Sequence, residues 1–212
     1  MQKKEFILIS LIFLMFLASI ALYPNMPEKI PMHWNAKGNI DDYSGRGFGL
    51  FFMPLFLAII YLFFLIIPKI EVFKKNINEF NNKYFFGFKL IFVLFFLVIY
   101  LAIILSAKGY SFNIKIVILP ALAVMFFYIG YMLKYVKRNF FIGIRTPWTL
   151  SSDKVWKKTH ELGSRVFYAI AILTLISLFT EKGFFIFIIG LLVAVIYLFL
   201  YSYLEFKKLK KR

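Results

Sequence analysis

Phe88-Lys89-Leu90-Ile91-Phe92-Val93-Leu94-Phe95-Phe96-Leu97-Val98-Ile99-Tyr100-Leu101-Ala102-Ile103-Ile104-Leu105-Ser106 carries a charge at Lys89 alone. A helix needs roughly 20 apolar residues to cross a bilayer, and this stretch supplies that length without interruption. It lacks the apolar/polar alternation of a barrel strand. Five more such runs lie around it: Phe6–Tyr23, Phe48–Pro68, Ile114–Leu133, Ser164–Thr180 and Phe184–Tyr203. Lys3 and Lys4 ahead of the first run look like the start of a signal peptide. The length of the run, and the lack of a small-x-small site before a soluble domain, favour a retained span.

Composition agrees. The apolar fraction is 62% and the charged fraction 17% of 212 residues, against roughly 45–50% apolar in soluble domains. Aromatic residues make up 21%, and mean hydropathy is +0.80. The expected fold is an all-α polytopic membrane bundle of six transmembrane helices. Three segments are expected: 1–68 with the first two spans, 69–133 with the central pair, and 134–212 with the last pair.

The net charge of +16 would suggest a nucleic-acid partner in a soluble chain. Here it reads as topology. With six spans both termini share a side, and only Lys29, Lys37, Arg46, Lys108, Lys115 and Lys182 of the 26 Lys and Arg fall on the other. The positive-inside rule makes the basic side cytoplasmic and places both termini there, in a multi-pass plasma-membrane protein. The basic tail from Lys207 to Arg212 is a stop-transfer flank that meets anionic lipid. It lacks an aromatic platform for RNA, so no direct nucleic-acid role is expected.

Two loops are elaborated. The outer one runs from Tyr23-Pro24 through Glu28, Pro31-Met32-His33-Trp34-Asn35 and Gly38 to Asp41-Asp42. Its three prolines make a stiff arm, and Asn35–Gly38 reads as a turn with Gly38 free for positive φ. His33 with Asp41 and Asp42 has three readings: pairing in an ordered cap, contact with an external ligand, or, with Glu28, a weak metal site. The zinc-site spacings are missing and His160 falls on the opposite face, so no metal is expected.

The inner loop contains Gly143-Ile144-Arg145-Thr146-Pro147-Trp148-Thr149-Leu150 and then Ser151 or Ser152 as a helix N-cap. Trp156, Thr159, His160 and Gly163 share one helical face, which predicts a short amphipathic helix at the inner surface before the fifth span. Arg145 among apolar neighbours has three readings: a lipid-phosphate anchor, a clamp to backbone carbonyls or Glu161, or a ligand contact. A second inner loop, Lys69–Gly87, leads into the next span through Asn82–Lys89, a faint echo of Lys137–Arg145. In a chain this rich in Phe, Lys and Asn, chance explains the echo better than a repeat.

No Ser-His-acid arrangement can be assigned from these spacings, and no cysteine is present. Nucleotide-binding glycine motifs are absent. The spans lack the mid-membrane carboxylate usual in coupled transporters. Catalytic residues and cofactors are therefore not expected.

At these two loops the chain resembles the SdpI family of bacterial and archaeal membrane proteins. The Tyr23–Asp41 motif is similar to that family's N-terminal domain of unknown function. Gly143–Leu150 followed by Val155-Trp156 and Thr159-His160 is similar to its C-terminal signature. The resemblance implies an immunity protein that protects the cell from a secreted membrane-active peptide. It further implies a receptor that, when occupied, holds a cytoplasmic transcriptional repressor at the membrane. It marks Pro31, His33, Trp34 and Asn35 outside, and Arg145, Thr146, Pro147, Trp148 and Thr149 inside. On that reading Glu28, Asp41 and Asp42 attract a cationic peptide, Met32 and Trp34 give it apolar contact, and the inner loop with Gly143, Trp156 and His160 reports occupancy. The competing reading is a membrane scaffold or envelope-stress component without a toxin ligand; a small-solute or lipid transporter has least support.

Overall fold

The computed structural model describes residues 3–70, 76 and 84–210. Most of the expected Lys69–Gly87 loop, the start of the Asn82–Lys89 echo, and Lys211 and Arg212 lie outside the described residues.

Among the described residues, six helices are long and apolar enough to cross a membrane. They are α1 (Lys3–Leu22), α2 (Arg46–Ile70), α3 (Phe86–Ala107), α4 (Lys115–Leu133), α6 (Asp153–Ile176) and α7 (Gly183–Lys210). A short α5 (Pro147–Ser151) precedes α6. Helices satisfy their own backbone groups, which hydrocarbon cannot do. Only 17 to 33% of each span's most apolar window is buried within the chain. Large side chains such as Phe13, Ile59, Phe127 and Ile189 are left for lipid.

Two expectations are corrected. The outer loop is not only a stiff arm and turn. It pairs into an antiparallel ribbon of β1 (Lys29–Trp34) and β2 (Ile40–Gly45), the sheet found among the described residues. The amphipathic segment before the fifth span is not a separate interfacial helix. It forms the first turns of α6, which starts at Asp153 and runs unbroken into the apolar stretch. Trp156, Thr159, His160 and Gly163 do share a face, but that face is buried against protein. Gly163 has no Cβ, and the Ile144 side chain occupies the space one would take.

The chain divides into two compact units. The first, residues 1–63 and 89–121, holds the hairpin and most of α1, α2 and α3. Leu8, Met15, Leu57, Val93 and Ile103 form part of its apolar core. Ser19 Oγ lies 2.8 Å from the Leu50 carbonyl and 2.7 Å from Tyr100 Oη. The two hydroxyls also reach the Met15 carbonyl, Ser19 Oγ at 3.0 Å and Tyr100 Oη at 3.1 Å, and together these contacts tie three helices. Nearer the start of α1, Glu5 pairs with Lys89 and accepts a hydrogen bond from Tyr61. Lys89 is 1% and Glu5 6% exposed, so this ion pair is buried.

The second unit, residues 64–88 and 122–212, is built on α6 and α7. They pack against each other and are joined by a single 3-10 turn (Ser177–Phe179) and a tight bend, so they run antiparallel. Gly190 of α7 admits the Leu173 side chain, the close approach that small residues allow in membrane helices. Ile170, Phe187 and Ala194 are buried there, with Leu122 and Phe126 of α4 packed on them.

Candidate functional site

The hairpin is a two-stranded ribbon, marginal alone, and its stability comes from anchors. Ile30 is fully buried, with its side chain against Gly49 of α2. Arg46 opens α2 and donates its backbone N–H to the Glu28 carbonyl at 2.8 Å. At the tip, Asn35 Oδ1 accepts from the backbone N–H groups of Lys37 (2.9 Å) and Asn39 (3.2 Å). Gly38 takes φ 90°, as its place in the turn requires. The tip docks on the α3–α4 connection, where Asn113 Nδ2 donates to the Lys37 carbonyl at 3.1 Å.

Compensating bulges set the register. Met32 is the extra residue between the Pro31–Tyr43 and His33–Asp42 pairs, and Asp41 the extra one between His33–Asp42 and Trp34–Ile40. Pro31, which has no N–H to give a ladder, sits beside the irregularity where strands tolerate it. The bulges bring His33 and Asp41 together, with Nδ1 donating to Oδ1 at 2.6 Å. The His33 side chain is nevertheless 66% exposed, so the pair contributes little to stability and remains open to a visitor.

Met32, Trp34 and Asn35 are half-buried, while Asp41 and Asp42 are exposed. Glu28 is exposed too but stands at the foot of the ribbon. It lies on the order of 13 Å from Asp42 at about 3.3 Å per residue. Among the described residues no three His, Asp or Glu side chains gather closely enough to hold a metal ion.

The second constellation, in the other unit, follows α4. Asn139 is buried and organises the loop. Its Oδ1 accepts from the N–H groups of Phe141 (2.9 Å) and Ile142 (2.6 Å), and its Nδ2 donates to the carbonyls of Lys137 and Ile142. Gly143 then takes φ 117°, and a Cβ there would stand 2.4 Å from His160 Nε2. Arg145 donates to the Phe140 carbonyl at 2.5 Å and stays exposed. That geometry is the backbone clamp among its three readings.

Thr146 and Thr149 form a reciprocal capping box on α5, with Pro147 in the first turn. Thr149 Oγ1 also donates to the Ile144 carbonyl at 2.9 Å, and Thr146 Oγ1 lies 3.0 Å from Ser202 Oγ on α7. Trp148 packs edge-on to Phe199 and tilted on Tyr203. Ser152 caps α6 through the Val155 N–H.

His160 is held on both nitrogens. Nδ1 faces the Trp156 carbonyl at 2.8 Å, so it carries the proton, and Nε2 accepts from the Ile144 N–H at 3.0 Å. The imidazole is therefore neutral and has no nitrogen left for proton transfer while both bonds stand. It stacks on Trp156, whose Nε1 donates to the Val136 carbonyl at 2.9 Å. The hydroxyls of Thr146 and Thr149 are likewise engaged with neighbours. The signature residues thus form one hydrogen-bonded loop-to-helix joint rather than a nucleophile and base.

Sequence reasoning missed several polar residues. Glu5, Lys89 and Tyr61 meet across three helices, and Glu205 accepts from Lys158 (2.5 Å) and Lys208 (2.7 Å). A charge inside an apolar run was the available signal for Lys89, and Glu205 showed only as a lone acid just past the last run, beside the basic tail. Asn139 gave none beyond its place after a basic pair.

The chain matches two family models. One, described as the SdpI/YfhL protein family, covers residues 135–202; the other, a domain of unknown function (DUF1648), covers residues 10–58. Immunity protein SdpI of Bacillus subtilis (strain 168) is 31% identical over 210 residues, 98% of each chain. No solved structure matches this chain significantly.

Proposed function

This chain belongs to the SdpI/YfhL protein family, and from that premise we propose that it is a membrane immunity protein, protecting a cell from a secreted membrane-active peptide. The observation that carries the reading is the likeness to an immunity protein along 98% of both chains, which takes in the hairpin, every span and the C-terminal joint. The Lys and Arg bias supports a hairpin outside the cell and a joint in the cytoplasm.

On this reading the peptide meets the hairpin. Asp41 and Asp42 attract its positive charge, His33 exchanges its bond to Asp41 for the ligand, and Trp34 and Met32 offer partly exposed apolar surface. Glu28, at the ribbon's foot, contributes to the long-range field. A pull on the tip reaches Asn113, two residues before α4 begins, and α4 ends where the basic loop starts. That helix is the covalent route by which occupancy is relayed to the Arg145–His160 joint. There a cytoplasmic repressor is held.

The test is survival of a sensitive bacterium challenged with an exported toxic peptide of the sporulation-delaying type, at matched membrane abundance of each variant. The wild type should protect, and the His33→Ala/Trp34→Ala pair should lose at least tenfold in tolerated peptide concentration. Protection unchanged in the pair would remove the hairpin as the contact. No protection by the wild type would discard this toxin class and leave a membrane scaffold as the better reading.

A further inference from the structure

In the second unit an open basin of about 500 Å³ lies where the end of α4 meets the start of α6. Sites for small molecules span roughly 300–1,000 Å³, so the basin has the size to take one. Among the described residues, four cations line it, Lys134, Lys137, Arg138 and Lys157, against the carboxylates Asp153 and Glu161. The carboxylates are committed locally. Asp153 lies 3.0 Å from Arg138 Nε, and Glu161 is 4.0 Å from Lys157 on the same helix. Arg138 is held further by donating to the Leu150 carbonyl at 3.0 Å, and Lys134 Nζ stands 5.1 Å from the centre of the Tyr168 ring.

The floor excludes other chemistries. Trp156 and His160 line the basin with their ring nitrogens already bonded to the chain. They offer apolar ring surface, and neither can ligate a metal or deprotonate a substrate without breaking the joint. Recognition must come from the cationic rim. The level of the basin is informative as well. Leu133 ends an apolar helix and Lys134 and Tyr135 follow at once, the arrangement of side chains that settle at the headgroup layer.

We propose that this basin binds a phosphate-bearing anion, and that its source is the headgroup of an anionic phospholipid. Lysine is a point-charge binder of phosphate and arginine a fork, and the excess of cations gives the rim its sign. A bare phosphate would fill a small part of the volume, whereas a glycerol-phosphate headgroup can rest its neutral end on the aromatic floor. The site needs nothing from the immunity reading and stands or falls separately.

The experiment is native mass spectrometry of the full-length protein in neutral-detergent micelles. The probes are dioctanoyl phosphatidylglycerol, dioctanoyl phosphatidylcholine, inorganic phosphate and a hexaglutamate peptide. Phosphatidylglycerol should bind at least tenfold tighter than phosphatidylcholine. Lys134→Gln/Lys137→Gln, two exposed positions, should lose that margin, and Lys134→Arg/Lys137→Arg should keep it. Inorganic phosphate displacing phosphatidylglycerol at equal concentration would keep the site and assign it to free phosphate. Equal binding of the two lipids, or undiminished phosphatidylglycerol binding in the glutamine pair, would overturn the proposal. So would binding of hexaglutamate with neither phosphate probe retained, which would instead make the basin a dock for an acidic protein segment.

Discussion

At Gly143 the backbone turns through φ 117°, and the imidazole of His160 occupies the space a side chain would need. These are two separate penalties. An L-residue in that conformation costs on the order of 1–3 kcal/mol, and a methyl group would push Nε2 away from the Ile144 N–H. Gly143→Ala should therefore destabilise the second unit by about 2–4 kcal/mol, the strain plus a lost buried hydrogen bond. Tryptophan fluorescence during denaturation in mixed micelles measures it, because Trp156 stacks on His160. An unchanged midpoint would mean that the loop can turn elsewhere. His160 itself should show an unprotonated Nε2 in nitrogen-15 spectra at neutral pH. Arg145→Ala, by contrast, removes one bond from an exposed guanidinium to the Phe140 carbonyl, so its effect on unfolding should be small and any loss of protection functional.

Among the elements, α1, α2 and α3 are tied by the buried meeting of Glu5, Lys89 and Tyr61. Removing one partner of a buried pair leaves the other charge desolvated, at a cost of about 3–5 kcal/mol, whereas replacing both with apolar groups is often neutral. Lys89→Met should thus lower the unfolding midpoint sharply, and Glu5→Leu/Lys89→Met combined with Tyr61→Phe, which removes the phenol that donates to Glu5, should recover most of the loss. A triple variant as unstable as the single would show that the cluster contributes more than mutual neutralisation. This pair also marks what could be read from the sequence. The six runs were legible because hydrocarbon demands length and apolarity within each segment. Glu5 and Lys89 meet across 84 positions, and nothing local in either run announces the partner. The hairpin was hidden for another reason: Pro31 cannot donate to a ladder, and the bulges at Met32 and Asp41 erase the period-two pattern that betrays a strand. The turn at Asn35–Gly38 was legible because its chemistry is local. The start of α6 was legible from its serine cap, but its continuity with the fifth span was not, because its first three turns are polar on one face and look like a separate interfacial helix until the loop packed on that face is known.

For the whole molecule, sidedness decides whether the hairpin can meet an exported peptide. The basic residues between Lys134 and Arg165 and those of the tail fix it if the positive-inside rule governs this chain. Acidic residues contribute little to that rule, so the carboxylates of either loop do not alter the expectation. Because the chain contains no cysteine, single thiols can be introduced without a background. Lys37→Cys, at the exposed tip of the hairpin, and Lys154→Cys, at the exposed start of α6, stand on opposite sides of the proposed topology. A membrane-impermeant maleimide added to intact cells should label position 37 and leave position 154 unreacted. Lysis before labelling should make the two equal. Labelling of position 154 alone in intact cells would invert the topology, turn the hairpin toward the cytoplasm and remove it as the first contact for a secreted peptide. Labelling of both in intact cells would place the two loops on one side, which an even number of crossings between them forces. One of α2, α3 and α4 would then lie in the membrane without crossing it.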